Sequence, residues 1–309
     1  MTAARIMDRG YRRYTGERGG VSVSMRSVIK YTVQRALGVH RKFRFKVMPI
    51  LTIVISYVPA MVYVGVVVLT NQLEDQQAAT GGGLPQGAGR AVASQLIQDY
   101  PSLYGSIVAA IALFAAFVAP EVLCTDRRTG MLGLYMASPL NRWTYLAAKA
   151  VAVGMILLIV TLGPPVLLLI GYSTQGYGPS AFGDWVSTIL RVFGLGVSLA
   201  FFHTMVSSAI SSITTRRAAA SASFIVMVMG TGVLVPLLIS EADAPIWLSM
   251  FDLLTLPLEF GYKVFGQQSF PYINATAVPA WNVYVGFFGW IMVAALIIWD
   301  RYRRVEVTK

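Results

Sequence analysis

Six long apolar runs divide the chain, over residues 47–70, 103–123, 142–172, 186–211, 218–239 and 281–299. The first, Val47 to Thr70, holds 24 residues without a charge. That is about 36 Å of helix at the α-helical rise, enough to cross a bilayer with some tilt. Pro49 falls in its first turn, where it costs little, and Pro59 in its middle, where it predicts a kink. In the third run, Gly163-Pro164-Pro165 must interrupt the backbone ladder, which lipid tolerates only where protein or water supplies partners. Asn141 stands where that run needs an N-cap, with Trp143 and Tyr145 at the level of the interface.

Between and before these runs the pattern changes. From Ser24 to Phe45, residues Val28, Ile29, Val33, Ala36 and Leu37 recur at helical spacing, with Lys30, Gln34, Arg35 and Arg41 opposite. This predicts an amphipathic helix lying along the lipid headgroups, apolar face down; a solvated basic tail is the alternative. Ile246 to Phe265 is too apolar for a free loop, yet Asp252, Pro257 and Glu259 interrupt it. It reads as one or two short helices dipping into the outer leaflet, not as a seventh span. Gly130 and Pro139 bracket another short helix, containing Met131, Leu132, Leu134, Tyr135 and Met136, between the second and third runs.

Composition agrees with a membrane protein. Hydrophobic residues make up 56% of the 309 and charged ones 13%, half the charged share of a soluble domain. The formal charge of +11 could suggest nucleic acid, but Lys and Arg cluster beside the apolar runs, so the charge reads as topological and no nucleic-acid partner is expected. With both termini in the cytoplasm, 22 of the 25 Lys and Arg fall inside, leaving Arg90, Arg191 and Lys263 on or near the outer side, while eight of the 14 acids fall outside. The fold class is therefore all-α integral membrane with six transmembrane helices. It comprises a basic N-terminus (1–46) with an interfacial helix, a six-span domain (47–299) and a cytoplasmic tail (300–309), in the cell membrane. The first apolar run begins only after a long basic segment without an A-x-A-like cleavage site, so the first span is expected to stay in the mature protein.

Chemistry of its own is not expected. One cysteine, Cys124, and two distant histidines, His40 and His203, offer no metal cluster, and H-E-x-x-H is absent. Without G-x-x-x-x-G-K-[ST] the chain lacks that device for cradling a nucleotide, so any ATP would be hydrolysed by another subunit. Arg191, near the outer end of the fourth run, reads as a snorkelling residue, and His203, deeper, as a hydrogen-bonded neutral imidazole rather than a relay.

The stretch from Ala119 to Lys149 carries most of the mid-chain charge: Glu121, Asp126, Arg127, Arg128, Arg142 and Lys149. Glu121, near the end of an apolar helix, calls for a partner such as Arg127, Arg128 or the N-terminal helix. Arg127 and Arg128 alone could be positive-inside anchors on lipid phosphate, but that leaves Glu121 and Asp126 unexplained. The order Glu121, Asp126-Arg127-Arg128, Gly130, Leu132, Leu134-Tyr135, Ser138-Pro139-Leu140, Arg142, Tyr145-Leu146, Lys149 closely resembles the first cytoplasmic loop of ABC-2 type transporter permeases, over about thirty residues. The resemblance implies an exporter's membrane subunit, with the short apolar helix as a coupling helix set into a groove of a separate ABC ATPase that binds ATP and Mg. It also implies a second permease subunit, identical or different. Glu121, Asp126, Arg127, Arg128, Gly130, Leu132, Leu134, Tyr135, Pro139, Arg142 and Lys149 would form the coupling loop. His203, Thr204, Ser207 and Ser208 are candidates for the translocation path, with close helix packing as the alternative use of such small residues. The apolar spans lean toward lipophilic or amphipathic cargo. A carrier or channel working without ATP, and a structural membrane subunit, stay open as alternatives.

Overall fold

The computed structural model describes residues 19–39, 42–43, 46–80, 100–136, 138–267 and 278–304, without the side chains of 77–80, 132 and 136. The first part of the basic N-terminus, the segment carrying Arg90 and the end of the tail lie outside these residues. Ten α-helices are described: α1 (Val21–Ala36), α2 (Val47–Thr80), α3 (Tyr100–Arg128), α4 (Met131–Met136), α5 (Arg142–Thr161), α6 (Gly163–Thr174), α7 (Phe182–Ile213), α8 (Arg217–Glu241), α9 (Leu256–Phe265) and α10 (Ala280–Arg303), with a 3₁₀ turn over Ile246–Phe251. Among the described residues, six stretches are long and apolar enough to cross a membrane: α2 to Gln76, α3, α5 with α6, α7, α8 and α10. The protein is a multi-pass α-helical membrane protein.

α3 is the axis of the bundle. Its Ala110, Ala112, Ala115, Ala116 and Ala119 are all buried, and such short side chains let α2, α5, α7 and α8 approach closely. α2, α8 and α10 are peripheral, with large apolar side chains such as Val62, Val226 and Met292 turned outward.

The third span breaks where the sequence requires. α5 ends at Thr161 and α6 starts at Gly163, with the prolines in its first turn, where their missing N–H groups cost least. Protein supplies partners at the break: Tyr57 Oη donates to the Ile159 carbonyl at 3.1 Å, and Thr161 Oγ1 to the Gly196 carbonyl at 2.9 Å. A Cβ on residue 163 would lie 1.8 Å from Tyr57 Oη, so any larger residue would force α2 or the tyrosine to move.

Ile246 to Phe265 forms two short helices, not a span. Asp252 makes the corner between them: its Oδ1 accepts from the Leu254 and Thr255 amides at 3.0 Å each, and Oδ2 from the Thr255 hydroxyl. Trp290 Nε1 on α10 donates to the Met250 carbonyl at 2.9 Å, and Phe260 stacks on Phe287 at 4.1 Å, so the pair of helices rests on α10.

α1 is shorter than its apolar pattern. Gly38, at φ 70°, turns the chain, and Val39 N returns to the Gln34 carbonyl at 2.9 Å. Its apolar stripe is covered by protein: Val28 packs with Leu140 and Ala148, and Ala36 joins the main core. The face expected to rest on lipid instead seats α1 against α5.

Candidate functional site

The ends of α3 and α5, joined by α4, meet α1 at one end of the bundle. Gly130, at φ 69°, lets the chain leave α3, and Asn141 caps α5 by accepting from Thr144 N at 2.8 Å while Thr144 Oγ1 receives Asn141 N at 2.9 Å. This reciprocal cap fixes where α5 begins, and so where Tyr145 and Lys149 project.

They project onto Asp126. Its carboxylate is fully buried, with Lys149 Nζ 2.7 Å from Oδ2 and Tyr145 Oη donating to the same oxygen at 2.9 Å. Arg35 Nη1, from α1, stands 2.8 Å from Oδ1, an ion contact off the line of a hydrogen bond. Lys149, itself only 1% exposed, also donates to Thr32 Oγ1 at 2.9 Å, and Arg35 Nη2 to the Glu121 and Val122 carbonyls at 3.1 and 3.3 Å. Three helices are thus pinned to one carboxylate. A buried charge is tolerable only when it is paired and hydrogen-bonded, and Asp126 is both.

A second set of contacts holds α3 to the turn between α7 and α8. Glu121 Oε2 pairs with Arg217, Arg127 donates to the Ser212 carbonyl, and Cys124 Sγ approaches the Ser211 and Thr214 carbonyls at 3.5 and 3.4 Å. Arg301 reaches the Ile213 carbonyl at 3.5 Å. The last carbonyls of α7, which have no partner within their own helix, are capped by side chains of α3 and α10.

Against this fixed frame α4 divides. Tyr135 turns inward, its ring 5.1 Å from that of Tyr145 and 5.2 Å from Lys149 Nζ, and burial, reinforced by the Asp126 charge, pushes its phenol above the usual range. Leu134 points out, 68% exposed on a helix of six residues. Arg128, Gly130 and Pro139 are exposed around it, and Arg142 donates to the Arg303 carbonyl at 3.3 Å; the Leu132 side chain lies outside those described.

Of the charges singled out from sequence, Asp126 and Lys149 meet directly, while Glu121 and Arg127 serve the neighbouring α7–α8 turn. The carboxylate of Glu121 takes Arg217, and Arg35 of α1 takes its carbonyl. Sequence reasoning missed Arg35 and Thr32. Val28, Thr32 and Arg35 share one helical face at spacings of four and three, so the signal was there once a buried acid was granted as its target.

The four residues considered for a path are buried in α7. Ser207 Oγ donates to the Ala115 carbonyl at 2.8 Å, a bond between packed helices, and His203 Nδ1 lies 2.8 Å from the Leu199 carbonyl. Thr204 and Ser208 have buried hydroxyls with no partner among the described residues. At the opposite end of the bundle, Arg191 and Asp184 line a cavity of about 660 Å³ with Tyr100, Tyr172 and Phe265.

Residues 39–304 match the family model described as ABC-2 family transporter protein. No curated protein matches the chain.

Proposed function

The chain belongs to the ABC-2 family of transporter permeases, and from that premise we propose that it is the membrane subunit of an ATP-driven exporter whose ATPase is a separate chain. The observation that carries this reading is α4: an apolar side chain, Leu134, held out from a short helix whose other flank, Tyr135, is anchored on the Asp126 cluster. An exposed leucine on a fixed knob suits a groove on a partner.

ATP and Mg belong to that partner, and a second permease copy or homologue completes the path. Both termini are cytoplasmic in the cell membrane, which puts α4 on the side where ATP is found. Closure of the ATPase on α4 then moves Tyr135 and, through Lys149 and Asp126, the ends of α5 and α3 together. Because these ends share buried ion contacts, displacement passes to the spans as a rigid-body shift between inward- and outward-facing states, each favoured by different contacts with the ATPase. The cargo is lipophilic or amphipathic, in keeping with the apolar composition of the spans.

The test is a cysteine at Leu134, with Cys124→Ser removing the native thiol, crosslinked in whole membranes. An adduct with an ATP-hydrolysing chain is expected, together with transport lost in Leu134→Arg while the protein stays monodisperse. Adducts with lipid alone would sink the proposal.

A further inference from the structure

Two hollows, each about 240 Å³, lie along α5 and α7, the first also walled by α10, and share Ala150 in their walls. The first opens beside Trp143 and Trp299, whose rings stack at 4.2 Å between centroids, and contains Ser208. The second runs on past Gly154 to Leu158 and Val197, and contains Thr204. From Trp143 to Leu158 the groove follows α5 for about 22 Å, more than one leaflet of a hydrocarbon core of about 30 Å.

Its two hydroxyls differ from those of the other buried serines of α7. Ser207, Ser211 and Ser212 all donate to carbonyls. Thr204 and Ser208 are 2% and 5% exposed, and neither Oγ1 nor Oγ has a hydrogen-bond partner among the described residues. Gly154 leaves room at Thr204: a Cβ there would stand 3.6 Å from its Oγ1. A buried hydroxyl without a partner is costly, and an occupant bearing acceptor oxygens would remove that cost.

We propose that this groove holds a glycerophospholipid with an anionic headgroup, drawn from the leaflet beside Trp143 and Trp299. A glycerolipid carries two ester groups at successive depths below its phosphate. Ser208 and Thr204, one helical turn or about 6 Å apart, border the groove at two such depths; their oxygens are turned away from it, and a change of χ1 rotamer presents each as a donor to the occupant. The acyl chain fills the apolar hollows, and the indole pair lies at headgroup level, where amphipathic rings settle. The rim is cationic: Arg142, next to Trp143, donates to the Arg303 carbonyl at 3.3 Å, and the nearby acid, Asp300, is taken by Arg304 at 2.8 Å. Such a rim attracts phosphate. A second copy of the chain would fill the hollows with apolar side chains and leave both hydroxyls unpaired, so lipid is the better occupant.

The purified full-length protein is placed in nanodiscs of phosphatidylethanolamine and a phosphatidylglycerol bearing a diazirine in its acyl chain, irradiated and digested. Label is expected to concentrate on residues 142–158 and 197–208, above the lipid-facing Val54, Met61 and Val62 of α2. Ala150→Phe, which fills the groove, lowers it. If that variant does not stay monodisperse, Ser208→Ala with Thr204→Val, which adds no bulk, carries the test: lipid retained in native mass spectrometry falls about 25-fold, the equivalent of two hydrogen bonds. Label spread evenly over α2, α5 and α7, or retention unchanged in the paired variant, overturns the proposal. So does a disulfide between two chains carrying Ala150→Cys and Cys124→Ser, because a second copy would then cover the groove.

Discussion

Lys149 Nζ and Asp126 Oδ2 lie 2.7 Å apart, with both side chains sealed from solvent. The pair joins α3 to α5 directly under α4, and Arg35 adds α1 from the other side of the carboxylate. Asp126 therefore has two cationic partners, whereas each cation has one acid.

That asymmetry ranks three substitutions. Asp126→Ala strands two cations and should cost about 3–5 kcal/mol, the usual penalty for an uncompensated buried charge. Lys149→Met leaves Asp126 its Arg35 contact and should cost less. Arg35→Gln, at a side chain 24% exposed, should cost least, about 1 kcal/mol. Asp126→Leu with Lys149→Met should recover much of the loss. Thermal unfolding of the purified variants in one detergent gives the order, and a larger loss for Lys149→Met than for Asp126→Ala would contradict the assignment.

Glu121 and Arg217 link α3 to the start of α8, and the arginine is 43% exposed. Reversing either charge alone should weaken that link; Glu121→Arg with Arg217→Glu should restore part of it. A double-mutant cycle on stability should return a coupling of about 1 kcal/mol, as for a pair partly in contact with water. Strict additivity would mean the contact contributes nothing.

The six spans were legible because charge-free stretches of about twenty residues have few other uses, and the break at Gly163-Pro164-Pro165 because proline cannot donate. Element ends were less so. Helices run past the apolar limits, as in α2 and α3, since a backbone ladder does not stop where lipid does. The face of α1 was misplaced for a plainer reason. Its apolar pattern fits lipid and protein equally well, and only the burial of Asp126, a tertiary fact, makes Arg35 an inward residue.

Asp252 lies outside the spanning helices, and burial raises its carboxyl above the usual 3.8, opposed by the hydrogen bonds from Thr255 and Leu254. A raised folded pKa means that the folded state holds the proton more tightly. The resulting stability is complete below the unfolded value and is lost as pH rises through the folded one. Asn at this position keeps an acceptor for the two amides and has no such dependence. The wild type should therefore gain relative to Asp252→Asn as pH falls from neutral to about 4, measured as the difference in Tm between the two. A difference that stays flat, or moves the other way, would show that the hydrogen bonds outweigh burial.

At the break in the third span, the contact between Gly163 and Tyr57 makes a sharper prediction. Tyr57→Phe keeps the ring but removes the donor to the Ile159 carbonyl, and should cost about 1 kcal/mol. Gly163→Ala puts a methyl 1.8 Å from the phenol oxygen and 2.6 Å from Cζ, so α2 must withdraw or the tyrosine must leave its rotamer. The expected loss is about 1–3 kcal/mol, as for overpacking. Combining Gly163→Ala with Tyr57→Phe should not rescue it, because the ring carbon still clashes. Tyr57→Ala should, since it removes the ring that α2 brings to this site. The four variants form a series measurable by thermal unfolding in detergent. Rescue by phenylalanine equal to that by alanine would show that the hydroxyl alone, and not the ring, makes the clash.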